Sequence, residues 1–596
     1  MAHRYKIIIF IVLAIIISVV CLQIKKKPQK LTKKMVYRMA FRTDIKTLDP
    51  ANVGDLYSHI VVSQIYEPLL QYAYLKRPYE LEPCLAEKMP EISSDNLIYT
   101  FKIKNKVYFQ DDICFPNGKG KELIASDFVY SFKRLADIKN ISEGWWIFDG
   151  MIKGLNEFRE QSKKDKKTNY NLEVEGLKVL NNYTFQIKLT RNYPQLLYVL
   201  AMSYTSAVPC EAIEKYGNEI ISHPIGTGPY KLQQWIRNSK LILVKNPNFR
   251  NEFYPSEGEI GDKEKGLLID ANKKMPFIDK VDISFILEDQ PYWLNFMKAN
   301  LDAAGIPKDN FQTCINEQKE LKPDMIKKGI ILTKTPEPDT TYIGFNMNHS
   351  ILGKNKYLRQ AISLAYDTSK TIKLFYNDCA IAAQGPIPPN IAGYDSTLKN
   401  SYREYNLTKA KELLIKAGYP NGKGLPVFIY ENSGSDTTSR QMAEYFVKQM
   451  SQIGIKIEIN NNTWPQFLQK LKTKSATIFG LAWIIDYPDA ENFLQLFYGP
   501  NSSPGPNSTN FNHLEYNKLY EKIKYLSDSP KRREIIKKMV SILTEECPWI
   551  FGTHRIAYGL SYKWNKNYKP HTFNYALKYK RIDMQIREKM LKKEIN

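Results

Sequence analysis

The stretch Ala482–Gly499, AWIIDYPDAENFLQLFYG, sets a single carboxylate at the end of an apolar run. Residues rich in β-branched and aromatic side chains stop at Asp486, a turn with Pro488, Asp489 and Asn492 follows, and an apolar helix start comes next. An acid at the mouth of an apolar strand is costly unless something positive meets it. Trp483 stands three residues before Asp486, and Trp464 lies further upstream. One carboxylate beside aromatic walls suits a ligand with a cationic amine and variable side chains. The same acid could instead cap the turn behind it, and the residues by themselves leave those two readings level.

Other chemistries find less support. The seven histidines are scattered, without HExxH or a close pair, so their spacing predicts no zinc site and no other metal centre. GxSxG is missing, as is GxxxxGK followed by Ser or Thr, so neither a nucleophile elbow nor a phosphate loop is expected. No cofactor and no catalytic residue is implied, and any ATP hydrolysis has to come from a partner. Asp111 with Asp112, and Asp486 with Asp489, could be posed as acid pairs, but surface or capping roles suit them better. His59 reads as a polar contact at most.

A chain of 596 residues is too long for one core, so two or three domains are expected. Apolar content of 43% argues against disorder. The net charge of +23 comes from lysines interleaved with acids and without a nucleic-acid motif, which reads as a solvated basic surface with no nucleic-acid partner. At the N-terminus, Arg4 and Lys6 precede an unbroken apolar run, Ile7–Val20, and then Cys21, the pattern of an export signal. Cys21 sits where a lipidated cysteine would stand, although Ser18-Val19-Val20 lacks the usual small residue before it; the alternative is a retained apolar anchor extending to Ile24. Either way the body is tethered outside the cytoplasm, and the basic linker 25–34 would meet anionic headgroups. The other six cysteines are widely spaced and form no CxxC, which permits disulfides without requiring them.

Helix and strand patterns alternate along the body, as in an α/β fold. Strands are expected over 35–43, 99–107, 183–189, 241–244, 280–287 and 455–459, helices over 58–70, 125–134, 292–298, 438–453 and 532–545, and a new unit from 339–345. Asn251–Lys274 is charged and glycine-containing, as a surface insertion would be, and Thr335–Pro338 reads as a hinge.

Several ordered stretches resemble the oligopeptide and dipeptide receptors of ABC importers, solute-binding protein family 5. They are RTDIKTLDPANVGD (42–55), IYEPLLQY (65–72), PIGTGPYKLQQW (224–235) with KNPNF (245–249), YIGFNMN (342–348), LRQAISLAYD (358–367) and KAKELLIKAGYPNGKGLP (409–426). The resemblance implies a two-lobed periplasmic-binding-protein fold with a hinge and an extra inserted domain, the cluster C type. Lobe I would comprise 35–71, 201–338 and 553–596, the inserted domain 72–200, and lobe II 339–552. It also implies that Asp486 holds a peptide's N-terminal ammonium, with Trp483 and Trp464 matching the family's tryptophans beside it. Backbone groups near Val61, Val62, Ala482 and Ile484 would pair with the peptide as an added strand, and Tyr342 and Tyr487 would line pockets. The implied partners are a peptide, the permease and ATPase subunits of an ABC transporter, and the membrane, with the chain itself a monomer. Gly226 and Gly228 in PIGTGPY are expected to supply the dihedrals of a tight turn between lobes. Some relatives carry an Arg near the position of Gly480 and a cystine beside the binding Asp; here Ile484 takes the latter place, and neither feature is present. A same-fold receptor for a murein peptide or a metal chelate is the alternative, and a cleft hydrolase a more distant one.

Overall fold

The computed structural model describes residues 34–595, apart from 78, 435 and 574–576. Cys21, its apolar segment and residues 25–33 of the basic linker lie outside the described residues. No helix among those described is long and apolar enough to cross a membrane.

The first strand, β1 (Val36–Phe41), is joined in a four-stranded sheet by β2 (Tyr230–Ile236), β3 (Lys240–Lys245) and β4 (Lys280–Phe285), in the order β1-β4-β3-β2. Val36 lies opposite Lys280 and Phe41 opposite Phe285 in a parallel register. A parallel neighbour needs a long crossover, so this sheet is necessarily built from distant pieces of chain. Alternation fixes its faces: Val281, Ile283 and Phe285 are buried while Lys280, Asp282 and Ser284 are less so.

Between β1 and β2 the chain leaves to form an antiparallel sheet of 91–92, 98–102, 184–188 and 177–181, in that order. The helix Ala125–Ala136 covers it, stacking Phe128 on Phe185 with ring centroids 5.8 Å apart. Arg134 from that helix makes two hydrogen bonds, of 2.9 and 2.8 Å, to buried Asp49, tying this sheet's unit to the segment after β1. The return passes through PIGTGPY. Gly226 and Gly228 do not have the positive φ expected of them. Their role is close approach: a Cβ on Gly226 would stand 1.9 Å from the Ile65 carbonyl oxygen.

Three strands follow, β5 (Ala303–Gly305), β6 (Ile330–Pro336) and β7 (Asp339–Phe345); then β8 (Phe428–Asn432), β9 (Ile457–Asn461) and β10 (Ile478–Ile484); and finally β11 (Trp549–Phe551) and β12 (Thr553–Tyr562). The order β5-β12-β6 makes one antiparallel sheet, and β9-β8-β10-β7-β11 makes a mixed five-stranded one. The chain therefore passes between these sheets twice, at Pro336–Asp339 and at Gly552. The crossings are stitched together. Buried Asp339 accepts the Arg555 backbone N–H at 3.0 Å and its guanidinium, and Gly552 donates to the Thr341 carbonyl at 2.8 Å. Only glycine fits at 552, since a Cβ would lie 2.5 Å from Thr341 Oγ1.

The segment 251–274, expected as a surface insertion, is anchored to the C-terminal region. Tyr254 and Leu267 are buried with Tyr74 and Tyr579, and Asp262 and Asp270 pair with Lys569 and Arg581. The six described cysteines are free thiols.

Candidate ligand-binding site

A cavity of about 630 Å³ opens among the inserted unit, the segment after β1, and the five-stranded sheet. The strand β10 supplies one wall. It pairs with β7 along its whole length but with β8 only at Ile478 and Phe479. From Gly480 to Ile484 its other edge therefore carries no strand among the described residues, and those residues line the cavity. Unpaired strand edges are templates for an added strand.

Asp486 lies just past this edge and lines the cavity. Asn492, fully buried at the start of the helical turn Glu491–Leu494, organises it. Its Oδ1 accepts both the Trp483 indole N–H and the Asp486 backbone N–H at 2.9 Å, and its Nδ2 donates to Asp486 Oδ2 at 3.0 Å. Burial is the main cause that pushes the Asp486 carboxyl up to about 7; the Asn492 hydrogen bond opposes the shift and the nearby Glu491 charge adds to it. Asp489 does the local capping instead, accepting from the Glu491 backbone N–H at 2.8 Å and pairing with Arg532 at 2.7 Å.

Trp483, Trp464, Tyr342, Ala482 and Ile484 line the same cavity as Asp486. Trp464 is the first residue of the helix Trp464–Lys472, stacked on Phe467, and its buried indole N–H has no acceptor among the described residues. Tyr342 lies flat on Trp549 with centroids 3.4 Å apart. Three expected residues are placed elsewhere. Val61 and Val62 belong to the helix Leu56–Ile65, with side chains fully buried and the Val62 carbonyl taken by the Tyr66 N–H at 2.9 Å. A helix interior has no free backbone to lend to a strand. The opposite face of that helix, with His59 and Ser63, lines the cavity instead. Tyr487, in the bend that follows β10, does not line the cavity. It is fully buried, stacked on Tyr198 of the inserted unit at 6.2 Å and 5°, with its hydroxyl donating to Glu491 at 2.5 Å.

The cavity's charges are nearly all matched. Arg555 pairs with Asp339, Lys578 with Glu252 at 2.7 Å, and Glu67 with Arg250 at 2.7 Å. Glu143 takes both Lys46 and, at 3.2 Å, Lys472, joining the segment after β1, the inserted unit and the helix before β10. Asp55 caps the helix Leu56–Ile65 through Ser58. Burial drives His59 down to about 4, so it is neutral at physiological pH. Asp486 is left with no cation within ion-pair reach among the described residues. Sequence reasoning missed Asn492, Glu143 and Lys472 as parts of this site. Asn492 alone carried a signal, a polar side chain inside an apolar helix start.

The family model for bacterial extracellular solute-binding proteins, family 5, matches residues 80–505, and the chain belongs to that family. It is 24% identical to heme-binding protein A of Haemophilus influenzae over 87% of this chain and 86% of that one. It is 26% identical to the dipeptide-binding protein of Escherichia coli (strain K12) over 80% of this chain and 81% of the relative. Among solved structures it is similar to the ABC transporter-associated periplasmic binding protein DppA from Helicobacter pylori in complex with peptide STSA. That likeness has a TM-score of 0.75 at 23% identity and covers 93% of this chain and 99% of that chain. The fold is the two-lobed α/β fold of the family's periplasmic binding proteins.

Proposed function

We propose that this chain is an extracytoplasmic receptor that captures peptides by their free amine and passes them to the permease and ATPase subunits of an ABC importer. One observation carries the reading: Asp486 is a cavity-lining carboxylate without a cation, beside an unpaired strand edge. A peptide laid along Gly480–Ile484 would add a strand whose hydrogen bonds ignore side-chain identity, while its ammonium meets Asp486. The aromatic faces of Trp464, Trp483 and Tyr342 take side chains. The three cations of the wall are already paired, so the peptide's carboxylate end is not read by a fixed charge. The relatives named for dipeptide binding and for peptide STSA support the peptide class.

In this reading, residues 35–71, 201–338 and 553–596 form lobe I, 339–552 form lobe II, and 72–200 form the inserted domain. Opening would break the Glu143–Lys472 pair and the Tyr198–Tyr487 stack. The body acts as a monomer, tethered to the outer face of the membrane by lipid on Cys21 or by the apolar segment before it. Calorimetry with a mixed peptide pool, the same pool N-acetylated, and the Asp486→Ala variant tests the proposal. Loss of binding on either change is expected. Binding that survives both would remove Asp486 from the site, and the absence of any peptide binding would turn the search to ligands such as the heme of the Haemophilus relative.

A further inference from the structure

A second cavity, of about 260 Å³, lies away from the first, where β1 meets the β5-β12-β6 sheet and the C-terminal region. Its electrostatics are unusual. Lys580 projects between two tyrosine rings, 4.6 Å from the centroid of Tyr37 and 4.9 Å from that of Tyr568, and the one hydrogen bond its ammonium makes among the described residues is to the Tyr37 hydroxyl at 3.0 Å. No carboxylate of the described residues is within ion-pair reach of Lys580 or of Lys566, which lines the same cavity. The acid beside the cavity wall is Asp302, and it is already shared by Arg38 and Arg587, each 3.3 Å away, with the Trp564 indole N–H at 2.9 Å. Two cations thus hold the one acid beside the cavity, and the two lysines that line it are left without a carboxylate among the described residues. A partly buried ammonium without a counter-charge is costly to the fold, and burial pulls the Lys580 ammonium toward its neutral form. A cost of this kind is commonly kept where a ligand removes it.

The geometry points to this second cavity as a binding site for a small oxyanion, a carboxylate or phosphate group. Lys580 would be its main partner, Lys566 a second cation, and the Tyr37 hydroxyl, which accepts from Lys580, has its own proton free to donate. The site would be coupled to the hinge by construction. Its walls include Thr333 of β6 and Gly559 of β12, and those two strands run directly into the crossings at Pro336–Asp339 and Gly552.

The test is chemical modification of lysines in the full chain by a limiting acylating reagent, followed residue by residue by mass spectrometry. Sodium phosphate and sodium formate are titrated in separate arms against sodium chloride at constant ionic strength. Saturable protection of Lys580 is expected in at least one oxyanion arm, about tenfold at ten times the half-saturating concentration. Exposed Lys423 should be unaffected. Protection by phosphate alone or by both anions identifies the head group. In Lys580→Met the protection of Lys566 should vanish, whereas in Asp486→Asn protection at both lysines should persist. Lack of saturable protection, equal protection at Lys423 or in chloride, retention at Lys566 in Lys580→Met, or loss in Asp486→Asn would each overturn the site.

Discussion

Replacing Asp486 by Asn should stabilise the ligand-free protein and abolish its function, and both effects can be sized. The carboxyl is raised from 3.8 to about 7, chiefly by burial. In the unfolded chain the same acid ionises near its ordinary value. Between pH 4 and pH 7 the folded state therefore binds more protons than the unfolded one, and stability falls as pH rises through that window. Raising the carboxyl that far corresponds to about 4 kcal/mol of destabilisation once the acid is ionised. Asn keeps the shape and the Asn492 contact while removing the charge. The thermal midpoint of Asp486→Asn should exceed that of the parent at pH 8 and converge with it near pH 4. Binding should move the other way. Leaving a buried ammonium unpaired costs about 2–5 kcal/mol, a loss of roughly 30- to 5,000-fold in affinity. In the parent, affinity for a free-amine peptide should fall about 25-fold from pH 7.5 to 5.5, because the acid must first lose its proton. Calorimetry across that range reads both. Equal midpoints at pH 8 would refute the burial argument, and unchanged peptide affinity in the variant would refute the ammonium assignment.

Amidating a peptide's C-terminus should change its affinity less than about twofold by calorimetry, whereas N-acetylation should abolish binding, since Asp486 is the site's unmatched charge. Asn492→Ala orphans the Trp483 indole and the Asp486 backbone N–H, each at about 1–3 kcal/mol, and should lower both the unfolding midpoint and peptide affinity. Lys472→Ala removes one arm of a bridge across the cavity and should weaken binding several-fold at low salt, with the difference shrinking at high salt in a titration series. Gly226→Ala drives a methyl into the Ile65 carbonyl and should cost at least about 1–3 kcal/mol, seen as a lower midpoint.

Local sequence determined much of this. The alternation of the strand Thr184–Lys188 was legible, and the acid closing the apolar run of β10 marked the binding wall, because period and polarity are written in adjacent residues. The glycines of PIGTGPY stood out too, but their reason did not: they answer a carbonyl more than 150 positions away, which no local rule contains. A helix over Val61 and Val62 was legible, but only tertiary structure decided that both turn away from the cavity, and that Tyr487, one residue from Asp486, packs into the inserted unit. The same holds for Glu143 and its two lysines, at 46 and 472. A charge pair or a packed ring is a contact between surfaces, and sequence records each partner without recording the meeting. Asp486 itself was visible from the start; its unmatched charge emerged only when every nearby cation had been seen to hold another acid.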